Sequence, residues 1–123
     1  MDAVEIQSLV TAYIEAQKHR VADANDQNWW AVDRFFELMD SMPEICWQAI
    51  VEISRRNPSE EIIAITGAGP LEDLIEQYGD QFIDKIEAEA RESPVFRKML
   101  NSVWESGSSE IWSRVIQAKS SDT

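Results

Sequence analysis

One cysteine, one histidine and eleven basic residues are spread over 123 positions, and each scarcity removes a class of function. Cys46 has no partner for an internal disulfide, so a disulfide scaffold is excluded. His19, in Gln17-Lys18-His19-Arg20, stands where a first helix should end and is read as a partner for that helix's C-terminal carbonyls. Cys46 lies beside Trp47 in an apolar stripe, the setting of a buried, inert thiol. Nothing in the sequence brings the two together, so no nucleophile–base pair, catalytic residue or cofactor is assigned. Eleven Lys and Arg against 23 Asp and Glu give a net charge of −12. Nucleic acid is therefore not expected as a ligand, since phosphates must be neutralised by bases, and an anionic membrane surface is not expected either. No apolar run approaches the roughly 20 residues of a membrane-spanning helix. Met1-Asp2-Ala3-Val4-Glu5 lacks the basic and apolar parts of a secretory signal. With the lone cysteine, this points to the cytoplasm.

What is present is apolar residues at helical spacing and acid in excess. The hydrophobic fraction of 44%, with five Trp, suffices for a core. The charge is uneven: residues 57–93 hold ten acids against Lys85 and Arg91, whereas residues 94–123 are nearly neutral.

Stripes of period 3.6 run through most of the chain. Val4, Leu9, Val10, Tyr13 and Ile14 form the first, with Asp2 as its N-cap. Trp29, Trp30, Val32, Phe35, Phe36 and Met39 form a second, and Ile45 to Ile53 a third, opened by Ser41-Met42-Pro43-Glu44 with capping-box spacing. Asn57-Pro58-Ser59-Glu60, Gly69-Pro70-Leu71-Glu72 and Ser93-Pro94-Val95-Phe96 all read as cap-then-proline helix starts. The stripes that follow are Leu71 to Tyr78, Phe82 to Ala90, Phe96 to Trp104 and Ile111 to Ile116, with Gly79 and Gly107 at helix ends. The expected fold is all-α. Seven or eight short helices would pack as helical hairpins, in a HEAT-like stack or an irregular bundle, within one domain of residues 1–118 followed by a polar tail, 119–123. Trp29, Trp47, Trp104 and Trp112 fall on apolar stripes and read as core. Trp30, turned about 100° from Trp29, reads as a partly exposed binding residue.

Gly67-Ala68-Gly69-Pro70-Leu71-Glu72-Asp73-Leu74 follows Ile62-Ile63-Ala64-Ile65-Thr66 and superficially resembles a strand feeding a phosphate loop. The dinucleotide pattern needs a third small residue where Glu72 stands, and Glu72 and Asp73 would repel a pyrophosphate at a helix start. No Gly-Lys-Ser/Thr closes a Walker loop. The segment reads instead as a structural corner: Gly67 left-handed and ending one helix, Gly69 giving room for the turn, Pro70 opening the next. Metal patterns also fail. In Asp23 to Asn28 the glycine position of a calcium loop holds Asn28, and the bidentate glutamate position holds Arg34. Glu72 and Glu76, with Asp80, Asp84 and Glu87, recur at helical spacing and could face a cation, but a solvated acidic face is the simpler reading.

The chain resembles a small bacterial domain-of-unknown-function family, number 6869, from about Trp29 to Val115. The likeness is carried by Trp29-Trp30-Ala31, Pro43-Glu44 with Trp47, Gly67 through Ile75, Tyr78-Gly79, Phe82-Ile83-Asp84 with Ile86-Glu87, Ser93 through Arg97, Val103-Trp104 and Trp112 with Arg114. It implies a helical domain and no assigned activity. Tyr78 occupies a place where a histidine is expected in the family, which argues against catalysis there.

These readings converge on a non-catalytic acidic interaction module, in its specific form an immunity- or antitoxin-like protein docking on a basic partner. The candidate binding residues are Glu60, Glu61, Glu72, Asp73, Glu76, Asp80, Asp84 and Trp30. A carboxylate-based metal enzyme using Glu72, Asp73, Glu76 and Asp80 is one alternative; a homo-oligomeric structural protein is the other.

Overall fold

A computed structural model describes residues 1–18 and 27–120. His19 and residues 23–26 of the calcium-like stretch lie outside the described residues. The fold is all-α, with no strand among the described residues. Its elements are α1 (Ala3–Lys18), α2 (Trp30–Ser41), α3 (Pro43–Arg55), α4 (Glu60–Thr66), a π-helical segment (Gly67–Leu71), α5 (Glu72–Glu92), α6 (Pro94–Leu100) and α7 (Ser109–Lys119). Because α4, the π segment and α5 run on without a break, the seven α-helices form six separate helical segments. None of them is long and apolar enough to cross a membrane.

Helix starts follow local chemistry. Asp2 accepts from the Glu5 N–H at 2.8 Å, and Glu5 reaches back to the Asp2 N–H, a reciprocal capping box. Ser93 accepts from the Phe96 N–H at 3.1 Å, as its serine–proline start predicts. Two other starts differ from expectation. Ser59, not Asn57, caps α4, because Asn57 is spent on a left-handed turn (φ 47°) after α3. Ser41 caps nothing: α2 extends through it, so its hydroxyl donates to the Glu37 carbonyl of its own helix, and Glu44 pairs with Lys85.

The glycine segment corrects the corner reading. Gly67 is right-handed helical (φ −64°, ψ −47°), and Pro70 lies inside the helix. Lacking an N–H, Pro70 removes one bond from the α ladder, and the backbone continues in wider π register instead of stopping. Gly67 is required by packing: a methyl group there would stand 2.2 Å from the Met99 carbonyl oxygen and 3.0 Å from Ser102 Cβ. At Gly69 an added Cβ would meet nothing within 4 Å beyond its chain neighbours, so glycine serves the backbone: a Cβ on a helical residue before Pro70 would crowd the proline ring. Gly79 likewise ends no helix. The backbone kinks at Tyr78 (φ −136°, ψ 26°) and α5 continues to Glu92, while Gly79 is pressed against Ile111 of α7.

Helix α3 packs against α1, α2, α4, α5, α6 and the π segment, which makes the arrangement an irregular bundle around one helix. A stack would leave each pair touching only its neighbours. The core carries Trp47 edge-on to Phe96 (centroids 5.7 Å apart) and Tyr13 against Phe35 (4.9 Å). The buried Tyr13 hydroxyl is shared with Thr66 Oγ1 at 3.1 Å, which ties α1 to the last turn of α4. Gly67→Ala is expected to cost about 2 kcal/mol through forced overlap. Gly69→Ala is expected to change stability by less than about 1 kcal/mol, alanine's helix preference being offset by crowding against Pro70. Urea denaturation of the two variants checks the contrast.

Candidate protein-docking site

Beyond Leu100 the chain leaves α6 and runs as a loop, residues 101–108, along α5. Two glutamates of α5, one helical turn apart, hold it. Glu72 Oε1 accepts from the Trp104 N–H at 2.8 Å, and Glu76 Oε2 accepts from the Gly107 N–H at 2.7 Å. Between them the Ser106 hydroxyl donates to the Trp104 carbonyl at 2.7 Å, and Val103 is buried beneath. Gly107 has φ +75°, a conformation that favours glycine, and Ser108 caps α7 by accepting from the Ile111 N–H. Both backbone polar groups of Trp104 are thus fixed while its side chain stands 77% exposed.

Trp104 was expected in the core, on a stripe continuing α6. It is instead the most exposed large apolar side chain among the described residues. Helix α6 ends at Leu100, and Asn101 and Ser102, which bond readily to nearby backbone, lead into the Gly107 turn. The run Ser106-Gly107-Ser108-Ser109 is the sequence signal that the helical stripe could not continue. Val4, Phe36 and Ile116 also lie exposed although their stripes place them inward. Trp47 is buried, Trp29 and Trp112 are half-buried, and Trp30 is 49% exposed at the start of α2, in keeping with its expected partial exposure.

The predicted acidic residues divide into groups. Glu72, Glu76 and Asp80 follow one another at four-residue spacing, and the structure brings them to the 101–108 loop; Glu76, Asp80, Gly107 and Ser108 line one 280 Å³ cavity beside the Tyr78 kink. No Lys or Arg among the described residues forms an ion pair with these three. Their hydrogen bonds, where present, go to neutral amides, which leaves the negative charge in place. Asp84 is different: it shares Arg114 with Glu87, at 2.7 Å from the guanidinium. The hydrogen bond from Arg114 holds Glu87 below its ordinary value, against the opposing effects of burial and of Asp84. Glu60 and Glu61 occupy the exposed first turn of α4, with Glu60 4.0 Å from Lys98. Asp73 faces a separate pocket between α1, α2 and the π segment. Burial, and then the adjacent Glu72 carboxylate, hold it above its ordinary value.

The four acids weighed as a metal set do not converge. Among the described residues no group of three or more His, Cys, Asp or Glu side chains is placed to hold a metal ion. Cys46 is fully buried and donates to the Phe35 carbonyl, and burial pushes its thiol up to about 12, far from a reactive thiolate. Tyr78, at the kink, donates its hydroxyl to the Met39 carbonyl at 2.8 Å, a structural tie between α5 and α2.

Two measurements follow from this arrangement. Glu72→Ala is expected to speed hydrogen exchange at the Trp104 amide by on the order of tenfold, at a stability cost of about 1 kcal/mol. For Asp73 the folded protein binds the proton more tightly than the unfolded chain. Its contribution is therefore favourable below the unfolded value, near ~3.9, and is lost as pH rises through the folded value. Asp73→Asn is expected to raise the melting temperature at neutral pH, with the advantage vanishing below about pH 4. Thermal melts at the two pH values check the sign.

No curated protein and no solved structure matches the chain. A family model described as "Family of unknown function (DUF6869)" matches residues 18–123, which covers the π segment, the acids of α5 and the 101–108 loop. The chain belongs to the DUF6869 family of unknown function.

Proposed function

We propose that the chain is a non-catalytic interaction module that docks a basic segment of another protein on Trp104 and the Glu72–Glu76–Asp80 stripe. The observation that carries this reading is Trp104, an exposed indole whose backbone is fixed on both sides. Tryptophan is enriched among residues that dominate binding energy, and a fixed backbone reduces the entropy lost on association. The charge beside it selects the partner's sign. Glu72, Glu76 and Asp80 lack basic partners among the described residues, and Glu105, exposed, follows Trp104 in the same loop. An arginine or lysine that stacks on the indole would gain both the ring face and the carboxylates. An immunity- or antitoxin-like protein that covers a basic, nucleic-acid-degrading partner in the cytoplasm is the specific form of this reading. Small size and the net charge of −12 support it.

Exposed Trp30 and Phe36 favour a second reading, in which copies of the chain associate through α2. A solution mass equal to the monomer over a wide concentration range would remove it. For the principal reading, the test is affinity capture from native-host extract with the wild-type chain and with Trp104→Ala. A partner is expected with wild type at low salt, less of it at high salt, and at least ~30-fold weaker binding by the variant, as for a hot-spot residue. Unchanged melting of Trp104→Ala would show that only the surface was altered. No partner at either salt concentration would count decisively against the proposal.

A further inference from the structure

A second site is built on another face of the same helical rod. Between α1, α2 and the π segment lies a pocket of about 170 Å³, walled by Tyr13, Val32, Phe35, Phe36 and Met39, with Gln17 and Asp73 as its polar lining side chains. An apolar cavity of about 150 Å³ admits a benzene-sized guest. Two features point to a ligand. Phe36 is 64% exposed at the pocket although its helix has a well-packed inner face. Asp73, finally, has no hydrogen-bond or ion-pair partner among the described residues, although it is half-buried beside apolar walls. Nor can its carboxylate serve as an N-terminal helix cap, because the backbone reaches it already helical. A carboxylate drawn partly out of water without a partner is destabilising, and a cation bound there would remove the penalty.

We propose that this pocket binds a small organic cation, a primary ammonium on a short apolar body of aryl or alkyl type, with the ammonium on Asp73 and the body between Phe35, Phe36 and Met39. The apolar walls exclude a bare metal ion, and the single carboxylate selects charge of one sign. Neighbouring residues on a helix point about 100° apart, so Glu72 serves the Trp104 loop while Asp73 serves this pocket, and the two sites are separable by mutation.

The experiment is titration of the full chain with 2-phenylethylamine, its neutral isostere 2-phenylethanol, and N-acetyl-lysine methylamide, followed by calorimetry and by amide chemical shifts. The amine is expected to bind saturably, at least about tenfold more tightly than the alcohol or the lysine derivative, with shifts centred on residues 67–73 and α2. Asp73→Asn should reduce amine affinity to that of the alcohol. Val32→Trp, at a half-buried wall position, should abolish binding of both while the chain stays folded by circular dichroism. Trp104→Ala should leave amine binding unchanged. Absence of saturable amine binding, equal affinity for amine and alcohol, or full binding by Val32→Trp would overturn the proposal. Tighter binding of the lysine derivative would overturn it in favour of a protein side chain as the occupant.

Discussion

The missing side chain at Gly67 sets the placement of the C-terminal third of the molecule. With only hydrogen on that α-carbon, the end of α6 lies directly on the helical backbone, and the Met99 carbonyl occupies the space a Cβ would need. From there the chain runs beside α5 in the same direction and meets it at regular steps. Trp104 meets Glu72, Gly107 meets Glu76, Ile111 packs on Gly79, and Arg114 reaches Asp84 and Glu87. Each step relies on a small residue that allows close approach or on a carboxylate that reaches across, and the first step sets the register of the rest. A rod interrupted at Gly67 would present Glu72 and Glu76 at a different angle and leave the loop amides without acceptors. Continuity through Pro70 in π register is therefore part of the same constraint.

This register explains why the acids of α5 do different work along one helix. Toward the C-terminus the bases Lys85, Arg55 and Arg114 form ion pairs with Glu44, Glu89, Asp84 and Glu87, so local charge is largely balanced. Toward the N-terminus, glutamates bind amides, which satisfies hydrogen bonds without cancelling charge. The region that keeps its negative charge is thus also the region that fixes the backbone of an exposed tryptophan. Loop anchoring and an uncompensated negative surface arise from the same two side chains.

Much of the fold was legible because much of it is local. The Asp2 and Ser93 caps, the apolar stripes of α1 and α3, and the short connections all depend on residues within one or two helical turns of each other. The structure departs from the local pattern where a distant group decides. Gly67, Gly69 and Pro70 together form a strong local stop signal, yet packing across Tyr13–Thr66 and Gly67–Met99 keeps the helix continuous. Trp104 fits the spacing of Phe96, Met99, Leu100 and Val103, but the carboxylate that draws its amide out of a helix lies 32 residues earlier. Backbone amides leave no mark in a sequence. An i, i+4 pair of glutamates could be recognised as one face, but not as a face turned toward a loop. The candidate site was legible in its acids and hidden in its aromatic residue.

The glycine–proline segment, read as a possible phosphate cradle and then as a corner, serves as a switch of orientation within a rod. A π turn adds a residue to a helical turn, so the faces before and after it are rotated relative to an uninterrupted α-helix. Upstream, Ile62, Ile63 and Thr66 face the bundle. Downstream, Leu71, Leu74 and Ile75 do so, while Glu72 is left to one flank and Asp73 to the other. Had α4 continued in α register, the bulk of Pro70 and the missing N–H would fall within a tight ladder, at a cost of about 3 kcal/mol. The wider turn avoids that clash and opens the wall beside Phe35 and Phe36. One local irregularity thereby separates two adjacent carboxylates onto two surfaces, one holding a loop and the other lining a pocket.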